Sequence, residues 1–189
     1  IPRITFGNYV RGNEMIDVGS LAQRMAALLD PSMSWEDVDW LRRVWKGPLI
    51  VKGILHSEEA REASARGVDA VVVSNHGGRQ LDGAISSIAA LPRVVDAVAG
   101  KVPVLVDGGI RRGSDVVKAL ALGAACCLIA RPQLWGLAIA GEEGVAHVLD
   151  VFRREISRAM ALMGASRVAD LDPASIASCA TAALDRTDG

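Results

Sequence analysis

The chain has 189 residues, half of which are hydrophobic, and its formal net charge at pH 7 is −1. This length and this hydrophobic fraction allow a buried core and argue against intrinsic disorder, so we expect a soluble globular protein. Because acidic and basic residues are balanced and interspersed, we expect no nucleic-acid partner and no membrane recruited by charge alone.

The cysteines and the chain start indicate the setting in which the protein works. Cys126, Cys127 and Cys179 have a spacing that suits neither a disulfide framework nor a metal site, so we expect a reducing compartment and no metal. The chain begins at Ile1 without an initiator Met, a signal sequence or an apolar run long enough to span a bilayer. We therefore interpret it as an internal piece of a protein.

The first 33 residues show little regular pattern apart from a short amphipathic stretch, Gly19 to Leu29. We interpret residues 1–33 as a surface connection, with a membrane-docking or partner-docking element as the alternative. The following Ser34-Trp35-Glu36-Asp37 resembles a capping box, which predicts that a helix begins there. The main domain is expected over residues 34–172, and residues 173–189 are expected to form a tail.

From about Pro48 onward, short apolar runs alternate with turns and helical stretches, which predicts repeated βα units. Strands buried on both faces are expected at Leu49–Lys52, Ala70–Ser74, Val102–Val106 and Cys126–Ile129. Helices are expected at Ser57–Arg66, Ile85–Val98, Ser114–Leu122, Gln133–Ile139 and Glu142–Met163.

Four such units predict an α/β fold in which this chain supplies the last four βα units of a TIM (β/α)8 barrel. A half-barrel exposes an open sheet edge that needs a partner. We therefore expect an amino-terminal half-barrel, absent from this sequence or carried on a separate chain, to complete the fold. A doubly wound sheet is the alternative.

Polar residues follow the predicted strands at the ends where (β/α)8 barrels place their catalytic groups. Lys52 ends the first strand, and Ser74-Asn75-His76 end the second. Asp107 follows the third strand, and Arg131 follows the fourth. The ammonium of Lys52 is expected either to reach solvent or to find an anionic partner.

His76 is the candidate catalytic base. It is followed by Gly77 and Gly78, whose missing side chains allow a ligand to approach closely. Arg79 lies three residues further on and can offer two parallel hydrogen bonds to a carboxylate. A base that takes a proton near neutral pH, beside a carboxylate anchor, suits chemistry at a carbon bearing a hydroxyl group. A structural histidine is the alternative.

The turn Asp107-Gly108-Gly109 joins the third strand to a helix and is expected to leave backbone N–H groups free at the positive helix end. Together with Arg131, this turn predicts the phosphate site that such barrels build after their last two strands. The stretch from Asp107 to Ala124 would also suit a barrel like that of IMP dehydrogenase. A tight turn without a ligand is a further alternative.

The segment SNHGGRQLDG, from Ser74 to Gly83, closely resembles the signature of the FMN-dependent 2-hydroxy-acid dehydrogenase and oxidase family. That family includes glycolate oxidase, lactate dehydrogenase and mandelate dehydrogenase. The resemblance extends from about Asp30 to Asp172 and includes VKGIL, which begins at Val51. It implies an FMN flavoprotein that oxidises an (S)-2-hydroxy acid to the 2-oxo acid.

The resemblance also implies a role for each matching residue. His76 would be the active-site base, Arg79 would bind the substrate carboxylate, and Lys52 would contact N1 and O2 of the flavin. Ala130 departs from the family pattern, which commonly has Gly there, but its backbone N–H is retained. The other cofactor contacts would come from Ser74, Asp107, Gly108, Gly109, Arg111, Ala130 and Arg131.

The first four strands of the family's barrel supply further substrate and flavin contacts, so the fragment alone is expected to be inactive. The resemblance implies a homo-oligomer, commonly a tetramer, in the cytoplasm or peripherally bound on the inner face of the cell membrane. A non-catalytic half-barrel that serves as a binding or assembly piece is the alternative to an enzyme.

Overall fold

A computed structural model describes residues 30–176, together with Gln23 and Ala27, both of which are helical. The other residues of the expected Gly19 to Leu29 helix lie outside the described residues, as does the tail beyond residue 176. Contacts between Cα atoms divide the chain into two compact units, Ile1–Trp40 and Leu41–Gly189.

The described residues form parallel strands that alternate with helices, as the sequence predicts. The strands are β1 (Ile50–Ile54), β2 (Ala70–Val73), β3 (Val104–Val106) and β4 (Cys126–Cys127). The helices are α1 (Trp35–Val44), α2 (Ser57–Ala65), α3 (Ser87–Val98), α4 (Gly113–Ala121) and α5 (Arg131–Leu162), followed by short 3-10 turns at Val168–Asp170 and Pro173–Ser175. Within the described part of the chain, no helix has the length and hydropathy needed to cross a bilayer.

Helix α1 begins where the sequence predicts it, directly after Ser34. The backbone N–H of Ser34 donates to Asp37 Oδ2 at 2.7 Å, and the N–H of Glu36 donates to Ser34 Oγ at 3.2 Å. This capping gives acceptors to N–H groups near the start of the helix.

The sheet has the strand order β1-β2-β3-β4, and each neighbouring pair is parallel. Every crossover therefore moves in the same direction along the sheet, as successive strands do in a barrel. A doubly wound sheet reverses this direction at a switch point, which these strands do not show. Neighbouring helices pack together, α2 against α3 and α4 against α5.

The core lies around the two central strands. All residues of β2 are buried, and Leu91 and Val94 of α3 are buried as well. By contrast, Ile50 of β1 is 50% exposed, and Cys126 of β4 is exposed. The prediction that every strand is buried on both faces is therefore wrong for β1 and β4, because each of them has a neighbouring strand on one side only.

Helix α5 is broken at Ala140 and Gly141, whose backbone torsions are non-helical. The two segments contact each other closely, since a Cβ on Gly144 would overlap the carbonyl oxygen of Gly136. The sequence predicts two helices here, Gln133–Ile139 and Glu142–Met163, and the break falls between them.

The second segment of α5 holds the start of α4. The N–H of Gly113, the first residue of α4, donates to Glu155 Oε2 at 2.7 Å. A Cβ on Gly113 would overlap the backbone N of Ile156 and the Cβ of Glu155. The two helices therefore meet through their backbones at this point, directly after the turn that follows β3.

We predict that Gly113→Ala lowers the free energy of unfolding by about 2 kcal/mol, because the added Cβ must displace the backbone of α5. Ser114→Ala is the control, since it changes the next position of the same helix without adding a Cβ, and we expect a change within about 0.5 kcal/mol. Urea denaturation followed by circular dichroism measures both. Equal midpoints for Gly113→Ala and the parent would contradict the close contact between α4 and α5.

Candidate functional site

A cavity of about 450 Å³ lies at the carboxyl ends of the strands. Because the strands are parallel, the residues that follow them meet at one edge of the sheet. Ser74 is buried and does not line the cavity, but it hydrogen-bonds to Lys52, which does. The other predicted site residues all line it: Lys52, His76, Arg79, Asp107, Gly108, Gly109, Arg111, Ala130 and Arg131.

Lys52 lies in the middle of β1 and not at its end as predicted, because the strand continues to Ile54; its side chain reaches the ends of β2 and β3. Its Nζ donates to Ser74 Oγ at 2.8 Å and forms a salt bridge with Asp107 Oδ2 at 2.9 Å. The ammonium therefore has an anionic partner, one of the two outcomes expected from the sequence. The other carboxylate oxygen, Asp107 Oδ1, is buried without a hydrogen-bond partner among the described residues. Leaving such an oxygen unsatisfied is costly, so a hydroxyl or N–H donor on a ligand would be favoured there.

His76 has a left-handed backbone conformation, with a φ of 56°, which is uncommon for residues other than glycine. Hydrogen bonds hold the turn around it. The His76 N–H donates to Ser74 Oγ at 3.0 Å, and the Gly77 N–H donates to Asn75 Oδ1 at 3.1 Å. The Gly78 N–H donates to the carbonyl oxygen of Asn75 at 3.0 Å. The backbone on both sides of the histidine is thus fixed by partners.

Contacts from β1 and α5 further define the position of His76. A Cβ on Gly53 would lie 3.0 Å from His76 Cε1, and Gly53 has a φ of 103°, so both space and backbone conformation favour glycine there. From the start of α5, Arg131 Nη2 donates to the carbonyl oxygen of Gly77 at 2.8 Å. The predicted phosphate-binding arginine therefore also contacts the turn that carries the histidine.

The start of α4 differs from its prediction. Asp115 Oδ2 accepts the N–H groups of Arg111 and Arg112, both at 3.0 Å, and Glu155 accepts that of Gly113. Carboxylates therefore cap this helix already. The prediction that its N–H groups are free is wrong for these residues, because side chains of α4 and α5 fold onto them.

The unpartnered N–H groups lie earlier in the turn, at Gly108 and Gly109. Neither donates to a protein acceptor in the described part of the chain. Both residues have positive φ values, 87° and 80°. Unpaired backbone N–H groups in a glycine turn are suited to an anionic oxygen.

The cavity carries an excess of positive charge. Arg79, Arg111 and Arg131 line it with guanidinium groups, while the charge of Lys52 is balanced by Asp107. Such a field favours anionic ligands.

The sequence alone does not place Ser87 near the site, and it indicates Asn75 only as a residue at the end of a strand. Ser87 is the first residue of α3 and is buried, and its Oγ accepts the N–H of Asn75 at 3.1 Å. The sequence contains a signal, the pair Ser86-Ser87 at the helix start, but it does not indicate which serine turns inward.

A parallel α/β sheet with a cationic, glycine-lined cavity at the carboxyl ends of its strands is the architecture of phosphate-binding α/β proteins. The sequence profile of the FMN-dependent dehydrogenase family matches residues 6–178. The chain therefore belongs to that family, as the signature at Ser74 to Gly83 implies.

Individual relatives agree with this assignment. L-lactate oxidase from Nostoc sp. is 54% identical over 147 residues, 78% of this chain and 40% of the relative. Human 2-hydroxyacid oxidase 1 is 51% identical over 156 residues, 82% of this chain and 42% of the relative. The crystal structure of mandelate oxidase with (S)-4-hydroxymandelic acid matches with a TM-score of 0.78 and 46% identity, covering 82% of this chain and 44% of that chain. The chain thus spans about two fifths of the length of the curated relatives it matches.

We predict that Gly53→Ala displaces the imidazole of His76 and shifts its Cε1–H resonance in spectra of protein labelled with 13C at histidine Cε1. Gly83→Ala is the matched control, because Gly83 also has a positive φ, 74°, but a Cβ there meets nothing within 4 Å. Both variants should lose about 1 kcal/mol of stability through backbone strain, while only Gly53→Ala should move the His76 signal. An unshifted His76 signal in Gly53→Ala would contradict the described contact; the His147 signal serves as an internal reference.

Proposed function

We propose that the intact protein uses FMN to oxidise an (S)-2-hydroxy acid to the corresponding 2-oxo acid. The observation that carries this proposal is that His76 and Arg79 line the same cavity as the glycine turn after β3 and Arg131. The similarity to a lactate oxidase and a 2-hydroxyacid oxidase supports this substrate class. The family match favours this reading over a barrel like that of IMP dehydrogenase.

The groups in the cavity fit FMN. The free N–H groups of Gly108 and Gly109 and the guanidinium of Arg131 suit a phosphate, with the Ala130 N–H and Arg111 as additional donors. Asp107 Oδ1, buried and unpartnered, suits a ribityl hydroxyl group. The FMN contacts we propose are those of Lys52, Ser74, Asp107, Gly108, Gly109, Arg111, Ala130 and Arg131.

In this proposal, Lys52 contacts the flavin, and Ser74 fixes the position of Lys52 relative to His76. The ammonium of Lys52 is suited to the pyrimidine edge of the flavin, where negative charge develops. Ser74 holds that ammonium at 2.8 Å and accepts the N–H of His76 at 3.0 Å, so one hydroxyl group sets the spacing between them. When bound, FMN supplies the acceptor for the two electrons that leave the substrate.

The substrate would be held and deprotonated by two side chains of the loop after β2. Arg79 anchors the carboxylate through paired N–H donors, which orients the hydroxyl-bearing carbon. His76 accepts a proton from that centre as it becomes a carbonyl. The same base serves whether the proton comes from the hydroxyl group or from the carbon.

We further propose that residues 34–172 form the last four βα units of a (β/α)8 barrel, and that an amino-terminal half-barrel completes it. The consecutive strand order and the exposed residues of β1 and β4 support this arrangement. Residues 1–33 would form the preceding connection, and residues 173–189 the tail. A homo-oligomer, and a location either in the cytoplasm or peripherally on the inner face of the cell membrane, stay predictions.

Replacing His76 with Ala is expected to lower the rate constant of flavin reduction by a 2-hydroxy acid at least about 100-fold, the usual contribution of a positioned base. FMN content should be unchanged, because His76 is not among the proposed FMN contacts. Stopped-flow absorbance of the full-length protein measures the rate constant, and the flavin spectrum measures the content. Rapid reduction in this variant would remove His76 from its proposed role.

The cysteines of β4 offer a test of the barrel. Cys127 Sγ lies 4.0 Å from the carbonyl oxygen of Val116 in α4, so Cys127 faces the helices and Cys126 faces the opposite side of the sheet. Burial, and secondarily the adjacent Cys126, raises the pKa of Cys127 to about 11. The thiolate is the reactive form, so Cys127 should stay inert near pH 8 and gain reactivity only as the pH rises toward its pKa.

We expect iodoacetamide at mildly alkaline pH to label Cys126 in the chain expressed alone but not in the full-length protein, where the barrel interior covers it. Cys127 should stay unlabelled in both, which makes it the internal control, and its raised pKa predicts labelling only at strongly alkaline pH. Peptide mapping by mass spectrometry assigns each site. Equal labelling of Cys126 in the two proteins would count against a completed barrel.

A further inference from the structure

Ser87 has an enclosed hydroxyl group close to the site, as Ser74 does. It is 2% exposed, and its Oγ accepts the Asn75 N–H at 3.1 Å and donates to Asn75 Oδ1 at 3.5 Å. The preceding Ser86 is exposed, and its side chain makes no capping hydrogen bond. Ser87 therefore bonds to the loop after β2 instead of capping its own helix.

Asn75 links Ser87 to the turn that carries His76. Its Oδ1 accepts the N–H of Gly77 at 3.1 Å, and its carbonyl oxygen accepts the N–H of Gly78 at 3.0 Å. Its Nδ2 donates to the carbonyl oxygen of Ile85 at 3.4 Å. Asn75 thus binds the backbone that follows His76, and the hydroxyl group of Ser87 holds Asn75 in place.

The same pair of side chains contacts the turn after β3. A Cβ on Gly108 would lie 3.0 Å from Ser87 Oγ and 3.1 Å from Asn75 Oδ1. Ser87 and Asn75 therefore lie between the turn that carries His76 and the turn proposed to bind phosphate. Hydrogen bonds join the two side chains to each other and to the His76 turn, and both side chains approach Gly108 closely, so their packing sets the separation of those two turns.

We propose that Ser87 is a positioning residue for the reaction: its hydroxyl group, acting through Asn75, holds the His76 turn at a fixed distance from the Gly108 turn. This inference rests on the proposed function, because the distance matters only if both turns contact one cofactor and its substrate. Ser87 does not line the cavity that contains His76 and Arg79; with Asn75 and Gly108 it lines a second cavity of about 380 Å³. Its effect on His76 is therefore expected to pass through Asn75. A displacement of a reacting group by about 1 Å can lower a rate about 100-fold.

The test is stopped-flow reduction of the full-length holoenzyme by a 2-hydroxy acid. In Ser87→Ala, we expect the rate constant at saturating substrate to fall about tenfold, corresponding to the loss of one or two buried hydrogen bonds. The substrate concentration for half-maximal rate should change by less than about twofold, because Arg79 is untouched. Ser86→Ala, the same change one residue earlier at an exposed side chain, should leave the rate constant as in the parent.

The rate constant and the amplitude of flavin reduction separate a positioning role of Ser87 from an effect on the stability of the protein. A purely structural role would lower the fraction of flavin that is reduced, that is the amplitude, without changing the rate constant. If Ser87→Ala does not fold, Ser87→Cys decides the case, because it keeps a side chain of similar size with weaker hydrogen bonds and should slow reduction about threefold. A rate constant equal to that of the parent in the variants that fold would overturn the proposal.

The His76→Ala variant distinguishes the failure of this inference from that of the proposed function. Slow reduction in His76→Ala combined with parent-like Ser87 variants refutes the positioning role alone. Parent-like reduction in His76→Ala refutes the proposed function, and the role of Ser87 with it.

Discussion

The ammonium of Lys52 joins the middle of β1 to the carboxyl ends of β2 and β3, and the geometry of the site depends on this interaction. It reaches from β1 to Ser74 at the end of β2 and to Asp107 after β3, at 2.8 and 2.9 Å. Hydrogen bonds between backbones fix the register of these short strands, but they do not fix the conformation of the loops that follow the strands. Because Ser74 also accepts the N–H of His76, the position of one charge sets the start of the loop that carries the proposed base.

Local patterns were sufficient to predict most of the fold. The cap at Ser34, the alternation of strands and helices, and the break in α5 near Gly141 all depend on residues close in sequence, and the structure contains each of them. The exposure of β1 and β4 could not be predicted in the same way. An apolar run indicates a strand, but its burial depends on whether another strand pairs with its free edge.

The site was predictable to the extent that parallel strands bring their carboxyl ends to one edge. The contacts that hold its turns were not, since they join distant parts of the chain. Glu155 caps Gly113 across 42 residues, and Ser87 binds Asn75 across 12. The missed cap by Asp115 is different, because it lies within four residues of its donors and could have been recognised as a local carboxylate cap.

The glycines around the cavity have a function beyond turn formation. A Cβ on Gly53 would approach the ring of His76, and one on Gly77 would lie 3.1 Å from Arg131 Nη2. Gly108 in turn leaves space for side chains from the β2 loop and the start of α3. Each of these three glycines therefore marks a place where a side chain from another element enters. The position of His76 results from β1, α3, α5 and the turn after β3 together, so it becomes defined only when the sheet and its helices have assembled.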